Sequence, residues 1–196
     1  MKRIFDISIS ALVLLIFFPF GFIISIFILL TSKGGIFYFQ ERIGQHAKSF
    51  KLMKFRTMKV NAEASGQLTV GMRDPRITSI GYFLRKTKLD EFPQFLNVLL
   101  GQMSIVGPRP EVKKYVEMYS TEQKRVLEVK PGITDYASIE YFRENEILGK
   151  AEDPERAYIE EIMPAKIELN MKYIENPGVA QDLKIMWKTF LKIIKR

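Results

Sequence analysis

Residues 85–110, RKTKLDEFPQFLNVLLGQMSIVGPRP, place two adjacent carboxylates, Asp90 and Glu91, among Arg85, Lys86 and Lys88, with Arg109 held between Pro108 and Pro110. An ionised aspartate in a cationic, phosphate-attracting setting can serve as a covalent nucleophile, a metal ligand, or both. Consecutive acids on a helix point about 100° apart, so they divide roles more readily than they share one proton. The two prolines of GPRP fix φ on either side of Arg109, and the first also restricts Gly107. Arg109 then presents a preorganised planar fork suited to phosphate oxygens. Alone, an Asp-Glu pair is also what an ordinary acidic helix start carries, and GPRP is also an ordinary rigid turn. Both lie in one cation-rich stretch, and that concentration points to phosphate chemistry.

These residues need a frame. Proline is tolerated only in the first turn of a helix, so Pro93 predicts a helix start near Leu89 or Asp90. Phe92, Phe95, Leu96, Leu99 and Leu100 recur at helical spacing, which predicts an apolar face seated in a core. Upstream, the aromatic-rich runs IFYFQERI and SFKLMKFRTM, joined by GQHAK, predict a β-hairpin. Lys54 and Arg56 are two apart, so on a strand they share a face and could line a phosphate site; a solvated edge strand carries similar charges. His46, the only histidine, falls in the hairpin loop with no second ligand in spacing, as a surface residue would. Residues 59–74, small, polar and glycine-bearing, read as a mobile loop or lid. DPRIT is a turn, and Ile80, Phe83 and Leu84 suggest a short helix leading into the site.

At 196 residues a single domain is the natural count, with a net charge of +8 that calls for an anionic partner. No recognition-helix or aromatic RNA-binding signature is present, which argues against nucleic acid and leaves a membrane surface or a phosphorylated substrate. The absence of cysteine rules out disulfides, thiolate catalysis and cysteine-based zinc sites. In residues 1–33 a basic start, Lys2 and Arg3, precedes an apolar run of about 24 residues, which as a helix would rise roughly 36 Å and could cross a bilayer. Pro19 and then Gly21 interrupt its middle, and cations flank both ends. Those features suit a re-entrant hairpin as well as a kinked spanning helix. Asp6 is expected to pair with Lys2 or Arg3. Further on, residues 111–129 fit a helix or helix pair with Val112, Tyr115, Val116 and Tyr119 on one side. A helix opens at Asp153 and Pro154, with Pro164 as a point of division. Residues 180–196 form a basic amphipathic helix whose Trp187 beside lysines suits a membrane interface or a packed core.

The stretch DPRITSIGYFLRKTKLDEFPQFLNVLLGQMSIVGPRP, residues 74–110, resembles the signature of the bacterial monotopic phosphoglycosyl transferases, the bacterial sugar transferase family. The resemblance extends more loosely from residue 1 to about residue 136. It implies an α+β architecture: a re-entrant membrane helix-break-helix over residues 1–33 with its break at Pro19, then a small cytosolic catalytic domain over 34–196 with the β-hairpin and amphipathic interfacial helices. It places the chain at the cytoplasmic face of the bacterial inner membrane. It implies transfer of a sugar 1-phosphate from a UDP-sugar to undecaprenyl phosphate through an aspartyl-phosphosugar intermediate, with release of UMP and use of Mg²⁺. Carried over by motif, Asp90 is the nucleophile and the Mg²⁺ contact, and Glu91 its acidic partner. Lys54, Arg56, Arg85, Arg109, Pro108 and Pro110 then bind phosphate or nucleotide. KPGIT, residues 130–134, also resembles the family, but Asp135 and Ser138 stand where the family commonly has glycine and glutamine, and Arg143 is slightly displaced. The sequence leaves open a homodimer and two rival activities, a lipid-phosphate hydrolase and a non-enzymatic membrane adaptor.

Overall fold

The computed structural model describes residues 2–62 and 74–195; most of the expected mobile loop, residues 63–73, lies outside them. The hairpin forms as the alternation predicts, β1 (Phe37–Ile43) pairing antiparallel with β2 (Ser49–Phe55) across a loop that exposes His46. Tyr38, Gln40 and Arg42 pair with Lys54, Leu52 and Phe50, so both Arg42 and Lys54 stand on the inward face of this sheet. A second, parallel pair joins β3 (Ser104–Val106) to β4 (Gly132–Thr134).

Helices fill the rest. α2 (Ser79–Thr87) is capped by the Thr78 hydroxyl and ends at Lys88, a left-handed residue at φ 60°. A 3₁₀ turn, Leu89–Glu91, follows before α3 (Gln94–Leu99). The two acids therefore sit on a turn ahead of the helix, not in its first turn as the sequence suggested. Pro93 caps α3, and the ring that would obstruct a longer helix marks its start.

α3 also faces differently from its apolar pattern. Buried Asn97 accepts from the Met53 N–H at 3.0 Å and donates to the Lys51 carbonyl at 2.8 Å, stitching the helix to β2. That polar contact turns Leu96 and Leu100 outward, 38% and 66% exposed.

α4 (Lys113–Val116) is shorter than expected, yet Val112, Tyr115, Val116 and Tyr119 are buried together as their spacing foretold. α5 (Tyr136–Glu140) and α6 (Glu144–Leu148) lead to α7 (Pro154–Ala157), a π turn at Tyr158–Ile162, and α8 (Met163–Glu175). The wide turn just before Pro164 absorbs the missing N–H, so the helix continues where a division was foreseen. α9 (Val179–Ile194) buries Asp182 and Ile185 and exposes Leu183, Trp187, Phe190 and Ile194 on the other side.

α1 (Lys2–Thr31) is one helix, with Pro19 inside it. The break expected at Pro19 is not seen: proline removes one N–H from the ladder, a defect a long helix can take up as a bend without ending. α1 is long and apolar enough to cross a membrane, yet it is docked on the remainder of the chain at both ends. At its start Arg3 donates to the Val98 and Leu99 carbonyls at 2.5 and 2.9 Å, capping the last turn of α3. Asp6 does not pair with Lys2 or Arg3. It accepts from the Ser104 hydroxyl at 2.9 Å and the Ile105 N–H at 3.2 Å, while Lys2 pairs with Asp182. A strand with open donors offers the buried carboxylate better partners than a flexible neighbour does. Midway, Phe17 stacks on Phe92 with ring centroids 3.7 Å apart, and beyond it Ile24 and Ile28 pack with Phe55 and Leu84.

Asp6→Ala leaves two buried donors unpaired and should lower stability by about 1–3 kcal/mol. Asp6→Asn, whose amide oxygen still accepts, should recover part of that in thermal unfolding of the detergent-held protein. Equal losses would show that the hydrogen bonds contribute nothing.

Candidate active site

Asp90 and Glu91 are neighbours in sequence with opposite surroundings. Glu91 accepts from the guanidinium of Arg109 and from Lys54 at 3.2 Å. Burial opposes its charge, but Arg109, Lys54 and Lys88 outweigh that penalty and hold Glu91 well below the usual carboxylate range. Asp90 is 7% exposed, and its Oδ1 has no hydrogen-bond partner among the described residues. Burial first, then the charge of Glu91, push its carboxyl upward; Lys54, Arg85 and Lys88 pull the other way. One acid is saturated by cations and the other keeps a free oxygen, so the pair divides its roles by environment.

Arg109 is fixed on all sides. Proline lacks a backbone N–H, so between Pro108 and Pro110 the only donor is that of Arg109, and Asp135 Oδ2 accepts it at 2.9 Å. The Pro108 carbonyl accepts from the Gly132 N–H at 3.0 Å, and the Pro110 carbonyl from Arg42 at 3.2 Å. Gly107 and Gly132 explain why both motifs carry glycine: a Cβ on Gly132 would lie 2.1 Å from the Gly107 nitrogen. GPRP and KPGIT are therefore two halves of one interlocked unit.

The structure brings Lys54, Glu91 and Arg109 into direct contact, and the charges of Arg85 and Lys88 act on Asp90. It does not bring Arg56 there. Beyond the end of β2 the alternation stops, and Arg56 turns to the carbonyls of Gly35 and Phe37 at 3.0 and 3.1 Å. Sequence reasoning missed three residues. Arg42 pairs with Glu111 at 2.7 Å and grips the loop after Arg109; its place on the same hairpin face as Lys54 was the signal. Gln94, four residues after Asp90, is buried with its Nε2 unpartnered among the described residues, and no sequence pattern marks it. Asp135 was noticed only as a departure from a motif.

A magnesium ion is commonly held by one or two carboxylates together with substrate phosphates. Among the described residues no group of three or more metal-binding side chains gathers. Glu91 is already committed to two cations, so the open oxygen of Asp90 is the donor that fits such an ion.

The model of the family described as bacterial sugar transferase matches residues 1–196, well past the point where the motifs become irregular. The chain belongs to the bacterial sugar transferase family. Among its curated relatives, a Klebsiella pneumoniae protein named UDP-glucose:undecaprenyl-phosphate glucose-1-phosphate transferase is 39% identical over 194 residues, covering 97% of this chain and 39% of its own length. A UDP-N-acetylgalactosamine-undecaprenyl-phosphate N-acetylgalactosaminephosphotransferase of Aeromonas hydrophila is 33% identical over 196 residues, 98% of this chain and 43% of that protein. The exopolysaccharide production protein PSS of Rhizobium leguminosarum bv. phaseoli is 34% identical over 204 residues, 100% of this chain and 96% of that one. The chain thus spans less than half the length of the first two of these family members.

In this member of the family the Asp90 carboxyl should titrate above the ordinary 3.8, because burial and Glu91 disfavour its charged form. Lys54→Met removes an ammonium that favours the carboxylate, so the same titration should move higher still. Carbon NMR of aspartate-labelled protein measures both; an unshifted or lowered value for Asp90 contradicts the assignment of cause.

Proposed function

We propose that this chain is a membrane-bound phosphoglycosyl transferase that moves a sugar 1-phosphate from a UDP-sugar to undecaprenyl phosphate. The observation that carries this reading is the buried, open oxygen of Asp90 within a shell of Lys54, Arg85, Lys88 and Arg109. In the first step Asp90 attacks the β-phosphorus. A phosphorus–oxygen bond forms to the carboxylate, the bond to the bridging oxygen breaks, and UMP leaves with that electron pair. In the second step an oxygen of undecaprenyl phosphate attacks the same phosphorus and the Asp90 carboxylate is released. No water is consumed, and the product is a lipid-linked diphosphosugar.

Charge dominates the first step, because a carboxylate must approach a diphosphate. Arg109 and Lys54 meet the phosphate oxygens while Glu91 keeps both cations charged and oriented, and Arg85 adds to the shell. Pro108 and Pro110 serve by fixing the loop that carries Arg109. Mg²⁺, when bound, would rest on Asp90 and the substrate phosphates and neutralise part of their charge.

Residues 1–33 act as the membrane anchor and 34–196 as the catalytic domain. We infer a re-entrant seat in one leaflet, with both ends of α1 on the cytoplasmic side. A helix crossing along the normal would part its ends by about 30 Å of hydrocarbon. What supports the re-entrant reading is that Lys2 and Asp6 at one end, and Ile24 and Ile28 at the other, rest on the same catalytic domain. The outward side chains of α1 are apolar, and the exposed Trp187 face of α9, beside lysines, suits the headgroup level. Lys2, Arg3 and Lys33, the cations that flank the apolar segment at its two ends, support the cytoplasmic side.

Asp90→Asn should abolish UMP formation from a panel of UDP-sugars, because an amide cannot form the acyl phosphate. Labelled nucleotide sugar should leave phosphosugar on residue 90 of the wild type when lipid acceptor is withheld. Full turnover by Asp90→Asn would end the covalent mechanism, and sugar phosphate released without any lipid acceptor would make the protein a hydrolase. The sequence has no cysteine, so Ile4→Cys and Thr31→Cys supply single labels. Both should react with an impermeant maleimide only from the cytoplasmic side. Reaction of Ile4→Cys from outside would replace the re-entrant anchor by a spanning one.

A further inference from the structure

We propose that Asp135 is the positioning residue for Arg109: by holding the single backbone N–H inside the Pro108–Pro110 clamp, its carboxylate sets the direction in which the guanidinium meets a diphosphate. The proposal rests on the reading of Arg109 as a phosphate-binding residue. Asp135 is wholly buried, 0% exposed. A charge so placed is costly unless its oxygens are satisfied. Both of them are: Oδ2 accepts from Arg109 N–H at 2.9 Å, and Oδ1 from the Ser138 N–H as the N-cap of α5. One side chain therefore ties residue 109 to the first turn of the following helix.

The neighbouring groups complete the brace. Arg109 Nη1 donates to the Ile133 carbonyl at 3.3 Å, and Gly107 N–H to the Thr134 carbonyl at 3.1 Å. The Thr134 hydroxyl in turn meets that of Thr189 on α9 at 2.6 Å. The segment 132–135 thus lies under the arginine from its carbonyl-bonded neighbours to its side chain. Asp135 is the only member that holds the backbone N–H of residue 109 itself. Its negative charge also favours the guanidinium cation, behind that of Glu91, while burial works against the cation.

Loss of the brace frees the arginine without removing it. A misplacement of about 1 Å at such a group can cost up to a hundredfold in rate.

Asp135→Ser is the informative variant. A serine hydroxyl still caps α5, which protects the fold, but one short oxygen cannot also reach Arg109. Binding of UDP, measured by calorimetry on the full chain, should weaken roughly tenfold, while thermal unfolding falls only by what a cap exchange and one unpaired backbone N–H account for. In an Arg109→Ala background the same change should alter UDP affinity by less than about twofold, because the residue through which Asp135 acts is gone. A tenfold loss in both backgrounds would assign Asp135 a general structural role and overturn the proposal. So would unchanged binding in the single variant. If UDP fails to bind the wild type, the phosphate-binding reading of Arg109 falls and takes this proposal with it. Failure of phosphosugar trapping with UDP binding intact would remove the covalent mechanism alone.

Discussion

The structure turns on a constraint that two adjacent carboxylates impose on each other. Buried side by side, they cannot both remain charged without cations, and the cations here are distributed unequally. Arg109 and Lys54 bond Glu91, so its charge is neutralised where it stands. Asp90 feels the charges of Lys54, Arg85 and Lys88, and its Oδ1 has no hydrogen-bond partner among the described residues. A unit charge pair at about 4 Å is worth on the order of 4 kcal/mol at an effective dielectric of 20, so this inequality is large enough to separate two acids of similar intrinsic strength. The proposed attack on phosphorus needs such a separation, since an oxygen spent on a salt bridge is a poor nucleophile.

The elements that maintain this asymmetry come from distant parts of the chain. The hairpin contributes Lys54 and Arg42 from one face, so its register decides which cation meets Glu91 and which meets the Pro110 carbonyl. A one-residue slip between the strands would put them on opposite faces. The Gly107–Gly132 approach lets two loops share one backbone layer. Lys88, in the left-handed region, ends α2 and starts the turn that carries the acids.

Much of this was legible in residue types. Strand alternation gave the hairpin, and the proline-flanked arginine, the cations and the two acids did converge. Legibility ended where a polar contact overruled an apolar pattern. Leu96 and Leu100 look like core positions, but Asn97 anchors its own face to β2 and rotates them outward. Asp6 looks like a partner for its basic neighbours, but open donors on β3 claim it. Arg56 keeps its spacing from Lys54 and loses its face once the strand ends. Contacts between residues 19 to 99 positions apart leave no local periodicity to read, so none of these outcomes was available from spacing.

Long-range contacts also bind α1 to the two acids and to Arg109. Phe92, two residues after Asp90, has its ring against Phe17 of α1, and β3, which receives Asp6, runs directly into the loop of Arg109. The two halves of the site, acid and guanidinium, are thus each fastened to the apolar helix at separate points. Aromatic pairs of this kind contribute about 0.5–1.5 kcal/mol beyond their area, and buried hydrogen bonds to a charge somewhat more. A flexible tether would set only the distance between α1 and the rest of the chain. Fastenings on both sides of Pro19, at Asp6 and Phe17 before it and at Ile24 and Ile28 beyond it, set the orientation as well.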